Sequence, residues 1–262
     1  MSEYGAETYG DRWAEIYDEW VARFAQLTDA EQVADVLAAQ AGSGPALELA
    51  IGTGRVALPL ASRGIEVHGV DISEAMVGRL RSKPGGDRIP VTMGNFADVP
   101  VEGRYSLIYV VFNTLFALLS QEEQVRCFQN VAAHLTEGGA FVIEAFVPDV
   151  SRYVRGQNVE ATVVETELVG VTFSRHDPTS QRVTSVAMTI EDGRILQRPV
   201  QIRYAWPSEL DLMARLAGLH LRERWGSWDG EPFSSSSGSH ISIYERPPSE
   251  GDPRFDAESV LS

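Results

Sequence analysis

The sequence predicts an α/β protein with a doubly wound, mostly parallel sheet and an antiparallel β insertion. Three observations predict this class. Apolar runs alternate with helical patterns over residues 46–146, a glycine-rich turn follows the first run, and strict apolar–polar alternation takes over in residues 153–206. Alternation of strand and helix along a chain is typical of parallel βαβ units, which place helices on both faces of one sheet.

Composition narrows the classes of function. The 262 residues include 22 Lys and Arg against 37 Asp and Glu, a formal charge of −15. Nucleic acids and anionic membranes both select clustered Lys and Arg, so we expect neither as a partner. The single cysteine, Cys127, excludes an internal disulfide, and no HExxH or EF-hand spacing indicates a metal site. Residues 1–10 lack the apolar core of a signal peptide, and we expect a cytoplasmic protein.

The N-terminal region, residues 1–42, predicts two amphipathic helices. Large apolar side chains recur in the first at spacings of four, four, three and four: Tyr9, Trp13, Tyr17, Trp20 and Phe24. The second is expected over Asp29–Gln40, with Thr28 as its N-cap. The aromatic stripe is either an ordinary buried face or a lid over a ligand. For a lid, Tyr17 is the favoured contact, because its hydroxyl can hydrogen-bond while its ring excludes water.

The parallel sheet is expected within residues 43–150, completed by residues 207–246. Its predicted strands are Ala46–Ile51, Ile65–Asp71, Val91–Met93, Tyr105–Phe112, Ala140–Phe146, His220–Trp225 and His240–Glu245. Its predicted helices are Arg55–Ser62, Ser73–Arg81, Gln121–Leu135 and Pro207–Leu216. A turn is expected at Gly138-Gly139, immediately before the fifth strand.

The insertion, residues 151–206, alternates within Ala161–Glu167, Val171–His176, Arg182–Ile190 and Val200–Trp206. Turn signals separate these segments at Asp177-Pro178 and Asp192-Gly193. Its apolar face needs a cover, and the nearest surface is the carboxyl edge of the parallel sheet. We therefore expect the insertion to form a ligand pocket there, with a homodimer interface as the alternative. Residues 247–262 are polar and are expected to be a flexible tail.

The glycine-rich turn predicts a cofactor. Gly52 and Gly54 stand where the first strand meets the first helix, so the backbone there can turn tightly and approach a ligand. Asp71 ends the next strand, where a carboxylate can accept hydrogen bonds from a ribose diol. With Ala57 the glycines also fit the dinucleotide pattern, which leaves an NAD-dependent oxidoreductase open. Glu48 favours a cationic ligand, because a pyrophosphate gains nothing from a nearby carboxylate.

The sequence resembles the class I S-adenosylmethionine-dependent methyltransferases in the segments Glu48–Gly54, Val67–Asp71, Gly94–Phe96, Val110–Thr114 and Leu135–Glu144. It departs from the family at Ala50, where the usual first motif has glycine. The resemblance implies a Rossmann-like, seven-stranded sheet and methyl transfer from S-adenosyl-L-methionine to nitrogen or oxygen of a small-molecule acceptor. A cofactor-binding protein or a cyclase with the same fold is the alternative. The aromatic helix and the β insertion resemble amino-sugar N,N-dimethyltransferases of antibiotic biosynthesis.

The resemblance also implies roles for particular residues. Asp71 would bind the ribose, and the methionine moiety would lie against Tyr17, Glu48 and the loop residues Ala50, Gly52, Thr53 and Gly54. The adenine would be framed by Ile72, Met76, Asn95 and Phe96. The loop after the fourth strand would bring Val111 and Asn113 to the cofactor, although Thr114 there also fits a helix N-cap.

The acceptor site is predicted from aromatic and imidazole side chains. Phe112, Phe116, His176 and His240 are expected to contact the acceptor. His176 lies near a turn of the insertion, and with Tyr17 it is a candidate for the base that removes the acceptor's proton. The alternative is that His176 is an ordinary surface turn residue.

Overall fold

A computed structural model of the chain describes residues 10, 13–24, 28–191 and 193–247. Its strands are β1 (Ala46–Leu49), β2 (Val67–Asp71), β3 (Val91–Met93), β4 (Tyr105–Val110), β5 (Leu135–Phe146), β6 (Gln157–Val164), β7 (Leu168–Asp177), β8 (Arg182–Glu191), β9 (Arg194–Arg203), β10 (His220–Trp225) and β11 (Ser239–Glu245). Its α-helices are α1 (Tyr17–Phe24), α2 (Ala30–Ala41), α3 (Ala57–Ser62), α4 (Glu74–Arg81), α5 (Gln121–His134) and α6 (Pro207–Leu216). No helix in these ranges is long and apolar enough to cross a membrane.

The seven-stranded sheet has the order β10-β11-β5-β4-β1-β2-β3. Strands β1 to β5 are parallel to one another, and β11 is antiparallel to both β5 and β10. Helices α5 and α6 bury Phe128 and Leu210 on one face, and α2 and α3 bury Leu37 and Leu60 on the other. The predicted class, a doubly wound and mostly parallel sheet with an antiparallel insertion, is confirmed. The carboxyl ends of β1, β2, β4 and β5 meet along one edge, where a ligand is expected.

Several predicted boundaries were wrong for local reasons. Asp29, not Thr28, caps α2, and its Oδ1 accepts a hydrogen bond from the backbone N of Glu31. The predicted aromatic helix is interrupted: Trp13 is helical, residues 14–16 form a turn, and α1 starts at Tyr17; Tyr9 lies outside the described residues. No turn separates α5 from the fifth strand, since Gly138 N donates to the Arg246 carbonyl and keeps β5 continuous.

The insertion is a four-stranded antiparallel sheet with the order β6-β7-β8-β9. Its last strand spans Arg194–Arg203 rather than the predicted Val200–Trp206. Pro199 weakens the sequence signal for this strand, but β9 lies at a sheet edge, where proline is tolerated. Trp206 instead occupies the N-cap position of α6. The turn predicted at Asp177-Pro178 is confirmed, since β7 ends at Asp177 and β8 begins at Arg182. Of the predicted tail, residues 247–262, all but residue 247 lie outside the described residues.

The two faces of the insertion differ in polarity and in what they contact. The inward face, defined by Ser174, His176, Val183, Ser185, Arg198 and Val200, is turned to the parent domain, since Val183 joins its core and Val200 packs near Trp13. The outward face is apolar and 37–78% exposed at Val159, Val164, Val169, Phe173, Ile190 and Ile195. The prediction that the apolar face covers the sheet edge was therefore wrong, because the more polar face lies there.

Candidate active site

The glycine loop after β1 follows a left-handed path. Ala50, Gly52 and Gly54 have φ values of 55°, 57° and 75°. A Cβ on Gly54 would overlap Cδ1 of Leu80, so a larger residue here would displace the buried Leu80 side chain of α4. A Cβ on Gly52 would meet nothing nearer than the Ala50 carbonyl oxygen, 4.0 Å away, so the space above the loop is open. Ala50 adopts the strained conformation that favours glycine, at a cost of roughly 1–2 kcal/mol.

Asp71 ties the end of β2 to this loop. One carboxylate oxygen accepts a hydrogen bond from Gly52 N at 2.7 Å, and the other accepts one from Ser73 N at 2.8 Å. The side chain is nearly buried, and this burial raises the pKa of Asp71 although both bonds act to lower it. The carboxylate therefore lies at the predicted ribose position and also holds the loop in place.

Glu48 lies beneath the loop in a fully enclosed environment. Its Oε2 accepts a hydrogen bond from the Tyr109 hydroxyl at 3.0 Å. Burial raises the pKa of Glu48 from 4.5 to about 8, against the opposing effects of Tyr109 and Arg55. The sequence suggested an ionised carboxylate, but the structure keeps Glu48 mostly protonated at neutral pH because it is removed from water.

Helix α1 closes over the loop. Tyr17 lines the same pocket as Glu48 and Gly52, and burial raises the pKa of its phenol to about 12. The carboxylate of Asp18 accepts a hydrogen bond from the Thr53 hydroxyl at 2.7 Å and pairs with Lys83 Nζ at 2.8 Å. Lys83 also donates to the Thr53 carbonyl at 2.8 Å. These contacts attach the N-terminal segment to the loop, as a lid requires.

The segment after β4 forms the opposite wall, where Val111, Phe112 and Thr114 line the pocket. Phe112 and Asn113 both have positive φ, 58° and 62°. Glu144 supports them: its carboxylate accepts from Phe112 N at 2.8 Å and its carbonyl accepts from Asn113 N at 3.1 Å. Strained backbone that is supported in this way is common at functional sites.

Asn113 is committed to the protein rather than exposed to the pocket. Its Oδ1 accepts a hydrogen bond from Phe146 N at 2.6 Å and so joins the ends of β4 and β5. Asn113, not Thr114, occupies the N-cap position of the 3₁₀ turn Thr114–Ala117. The predicted contact of Asn113 with the cofactor stays a prediction.

The residues predicted to frame an adenine lie around the ends of β2 and β3, outside the lining of this pocket. Ile72 is 38% exposed, whereas Met76 is buried against Trp13 and Ala14. Asn95 Oδ1 accepts from Ala97 N at 2.9 Å, and Phe96 packs against the core. Only Ile72 offers a large free apolar surface.

The sequence interpretation missed Arg55, which lines the pocket with Tyr17 and Glu48. Its guanidinium carbon lies 5.9 Å from the centre of the Phe112 ring. A cation just before the N-terminus of α3 is unfavourable for the helix dipole, and this was the available signal that Arg55 serves the site.

His176 lies outside the pocket lining, on the inward face of the insertion. Its Nε2 is 2.9 Å from the Tyr204 hydroxyl, and its ring stacks on Tyr153 with centroids 4.6 Å apart. The side chain is half-buried, and its role in the reaction stays a prediction.

Phe116 and His240 lie in the core, which contradicts their predicted contacts with an acceptor in this conformation. Phe116 is fully buried with its ring 5.0 Å from that of Phe146. His240 is fully buried in β11 with Nδ1 2.8 Å from the Ser242 hydroxyl oxygen. Burial, and then the charge of Arg224, lower the pKa of His240 to about 4, so its ring is neutral. Alternation along β11 turns both His240 and Ser242 to the face packed by α6, which the sequence alone did not reveal.

Comparisons with known proteins agree with this geometry. The methyltransferase domain family matches residues 46–139. The chain is 40% identical to the CcbJ methyltransferase from Streptomyces caelestis, with 94% of this chain and 100% of that one covered and a TM-score of 0.87. It is 28% identical over 202 residues to the cypemycin N-terminal methyltransferase of a Streptomyces species, covering 76% of this chain and 82% of that protein.

More distant structures share the fold. CalS10 from Micromonospora echinaspora, an amino pentose methyltransferase solved with S-adenosylmethionine bound, has a TM-score of 0.67 at 19% identity, with 88% of this chain and 96% of that one covered. The resemblance inferred from the glycine loop and the insertion is confirmed, and the alternative of an NAD-dependent oxidoreductase was wrong. The chain belongs to the S-adenosylmethionine-dependent methyltransferases.

Proposed function

We propose that this methyltransferase methylates a nitrogen atom of a small polar molecule, in a cleft between the glycine loop and the inward face of the insertion. The observation that carries the proposal is the polarity of that face, where the hydroxyls of Ser174 and Ser185 lie 2.9 Å apart near His176. The names of two similar proteins, an N-terminal methyltransferase and an amino pentose methyltransferase, support nitrogen as the acceptor atom.

The residues present fit S-adenosylmethionine. Two buried acidic side chains, Asp71 and Glu48, flank a loop with open space above Gly52. Asp71 suits a ribose diol, and Glu48, once ionised, suits a cationic amino-acid end. When bound, the cofactor supplies a methyl group activated by the positive charge on its sulfur. We assign the backbone of Ala50, Thr53 and Gly54 to the methionine moiety. Ile72, Met76, Asn95 and Phe96 are assigned to the adenine side, and Val111 to the wall beside the sulfur.

The other residues align the acceptor and exclude water. Tyr17 closes the pocket with a phenol that stays protonated and can donate a hydrogen bond. Phe112, held in its left-handed conformation by Glu144, presents its ring beside Arg55. Methyl transfer to a nucleophile depends mainly on the alignment of the reacting groups and on the exclusion of water from the site. His176 is assigned as the group that accepts the acceptor's proton.

Radiolabelled methyl transfer tests the proposed function. Purified protein is incubated with labelled S-adenosylmethionine and pairs of small polar acceptors that differ only in carrying an amine or a hydroxyl. We expect label in members of the amine set and little in their hydroxyl counterparts. Label only in the hydroxyl set, or only in peptides, would contradict the proposal.

His176→Ala is expected to lower kcat about 10²-fold with the identified acceptor, because a base that removes the acceptor's proton typically contributes this much. Cofactor affinity, measured by calorimetry, should stay unchanged. Tyr204→Phe is the matched variant, since it keeps the ring but removes the hydroxyl 2.9 Å from Nε2. If His176→Ala raises KM alone, the imidazole only positions the acceptor. If neither parameter changes, His176 has no part in the reaction.

Cofactor affinity is expected to rise with pH between 6 and 8. In the structure the pKa of Glu48 is raised to about 8, so the carboxyl is protonated below that pH, whereas the ammonium group of the cofactor favours the ionised form. Binding therefore releases a proton, and affinity gains up to about tenfold per pH unit until Glu48 is ionised in the free protein. Calorimetry in buffers of different ionisation enthalpy measures the released proton. Glu48→Gln should remove both effects, and a wild-type affinity independent of pH would contradict the assignment.

The outward face of the insertion supports a further proposal, a homodimer. Besides its six exposed apolar side chains, the same face presents Val171, Val186, Met188 and Pro199, and no Asp or Glu lies among them. In a chain with charge −15, this apolar part of the surface is where two copies can meet with the least repulsion.

Phe173→Glu with Ile195→Glu is expected to convert a dimer into a monomer in sedimentation equilibrium, because two charges would be buried at the interface. Leu212→Glu is the matched control, since Leu212 is 59% exposed on α6. A wild-type protein that sediments as a monomer, or a double variant that remains dimeric, would contradict this interface.

A further inference from the structure

Arg198 is a buried cation on the inward face of the insertion. It is 8% exposed, and the mid-strand position in β9 fixes its backbone. Its contacts in the described part of the chain are a hydrogen bond from Nη1 to the Thr189 hydroxyl at 3.2 Å and a stack on Trp13, whose ring centre lies 5.3 Å from Cζ. No described carboxylate pairs with it. Its Nε and Nη2 donate no hydrogen bond to described protein atoms.

Two other buried or partly buried arginines are paired with acids. Arg203, five residues along β9, contacts Glu209 at 2.7 Å and also donates to Gln124 and Gln181. Arg224 pairs with Asp211. Removing a guanidinium from water without a counter-charge is unfavourable, and a cation–π contact offsets only a part of that cost. Burial accordingly lowers the pKa of Arg198 from its ordinary value.

The position of Arg198 relates it to the methyl-transfer site. Trp13, on which it stacks, forms a buried cluster with Met76 and Ala14, and Tyr17 packs against that cluster. Tyr17 in turn lines the glycine-loop pocket. Ser185 also lies close to Arg198 on the inward face. It pairs with Val200, which is the next inward-facing residue of β9 after Arg198. The unpaired guanidinium therefore lies between the N-terminal segment and the face that we assign to the acceptor.

We propose that Arg198 binds a carboxylate group of the acceptor, so that the substrate is a small amine that also carries an anionic group. This inference rests on the proposed function and defines its substrate class. The planar guanidinium presents two donors, Nε and Nη2, that bond to no described protein atom, and a carboxylate can accept from them in a bidentate manner. An acceptor held at Arg198 on one side and at His176 on the other spans the inward face.

The cofactor also carries a carboxylate, and Arg55 provides a nearer cation for it. Arg55 lines the glycine-loop pocket itself, with Glu48 and Gly52, whereas Arg198 reaches that pocket only through Trp13 and Tyr17. The acceptor is therefore the source of the carboxylate assigned to Arg198.

The test uses protein loaded with S-adenosylhomocysteine and a series of probes: glycine, β-alanine, 4-aminobutyrate and 6-aminohexanoate, each paired with its carboxamide. Ligand-observed NMR titrations measure their affinities for the wild type, Arg198→Gln and Arg198→Lys. Arg194→Gln, an exposed arginine on the same strand and face, is the matched control. Melting temperatures show whether each variant is folded.

We expect at least one amino acid to bind the wild type at least tenfold more tightly than its carboxamide. This preference should fall below twofold in Arg198→Gln, persist in part in Arg198→Lys and remain full in Arg194→Gln. A wild type that binds no carboxylate better than its amide, or a preference that survives in folded Arg198→Gln, overturns the proposal.

A second arm compares S-adenosylhomocysteine with 5′-methylthioadenosine, which lacks the carboxylate. If Arg198→Gln weakens only the former, Arg198 binds the cofactor and the proposal is wrong. The titrations measure binding and the radiolabel assay measures methyl transfer. If the radiolabel assay shows no methylation of nitrogen, the preference for a carboxylate can still be measured in the titrations.

Discussion

Asp71→Ala is expected to weaken S-adenosylmethionine binding about a hundredfold, equivalent to about 2.7 kcal/mol. The substitution removes the acceptor proposed for the ribose hydroxyls and strands two backbone donors, Gly52 N and Ser73 N, that now bond to the carboxylate. Each lost bond to a charged group is worth roughly 1.5–3 kcal/mol, partly recovered by water and relaxation. Isothermal titration calorimetry measures the affinity directly.

Two variants accompany this measurement. Asp71→Asn keeps one acceptor oxygen and should give an intermediate loss. Asp177→Ala removes an equivalent local bond, since Asp177 accepts from Thr179 N two residues on, yet it lies at the turn between β7 and β8 and should not change cofactor affinity. An unchanged affinity in folded Asp71→Ala would show that the carboxylate has no part in binding.

Deletion of residues 1–24 is expected to lower turnover at least about 10²-fold while both sheets remain folded. The strands of both sheets lie within residues 46–245, and the described part of the deleted segment contributes buried apolar residues only to the small cluster around Met76. Without Tyr17 over the loop, water enters the site and the alignment of the reacting groups is lost. Circular dichroism reports the fold, and radiolabelled methyl transfer reports turnover.

Point variants of α1 distinguish the loss of the contacts that close the lid from a general effect of deleting the N-terminal segment. Asp18→Ala breaks the contacts with Thr53 and Lys83 that attach α1 to the glycine loop, and it should reproduce part of the loss. Glu19→Ala changes the next, exposed residue and should leave turnover intact. Full activity in the truncated protein would show that the aromatic stripe is ordinary packing.

The sheet was predictable because its signals are local. Strand β1, the left-handed loop and the acidic residue ending β2 each follow from a few adjacent residues, and right-handed crossovers leave little freedom for their arrangement. The insertion was harder, since which of its faces turns inward depends on packing against Trp13 and the core residue Val183. Alternation identifies two faces but does not say which one is covered.

The site was predictable only where the backbone itself forms it. Gly52, Gly54 and Asp71 are tied to the turn geometry, so a sequence pattern locates them. Residues brought together from distant segments were missed or misplaced. One of them is Arg198, which contacts Trp13 although the two lie far apart in the sequence. His240 was expected to contact the acceptor from the start of the last strand, but its register opposite Ala145 places it in the core. Register between distant strands is a tertiary property that single-sequence periodicity does not encode.

The position of β11 has a consequence for synthesis on the ribosome. It pairs with β5, yet roughly ninety residues separate the end of β5 from its start. At about 5–20 residues per second, the nascent chain carries an unpaired β5 edge for roughly 5–20 s. An open strand edge of this kind invites pairing with other chains. We therefore expect the cofactor-binding half to form early but to need shielding by a chaperone until β11 emerges and completes the sheet.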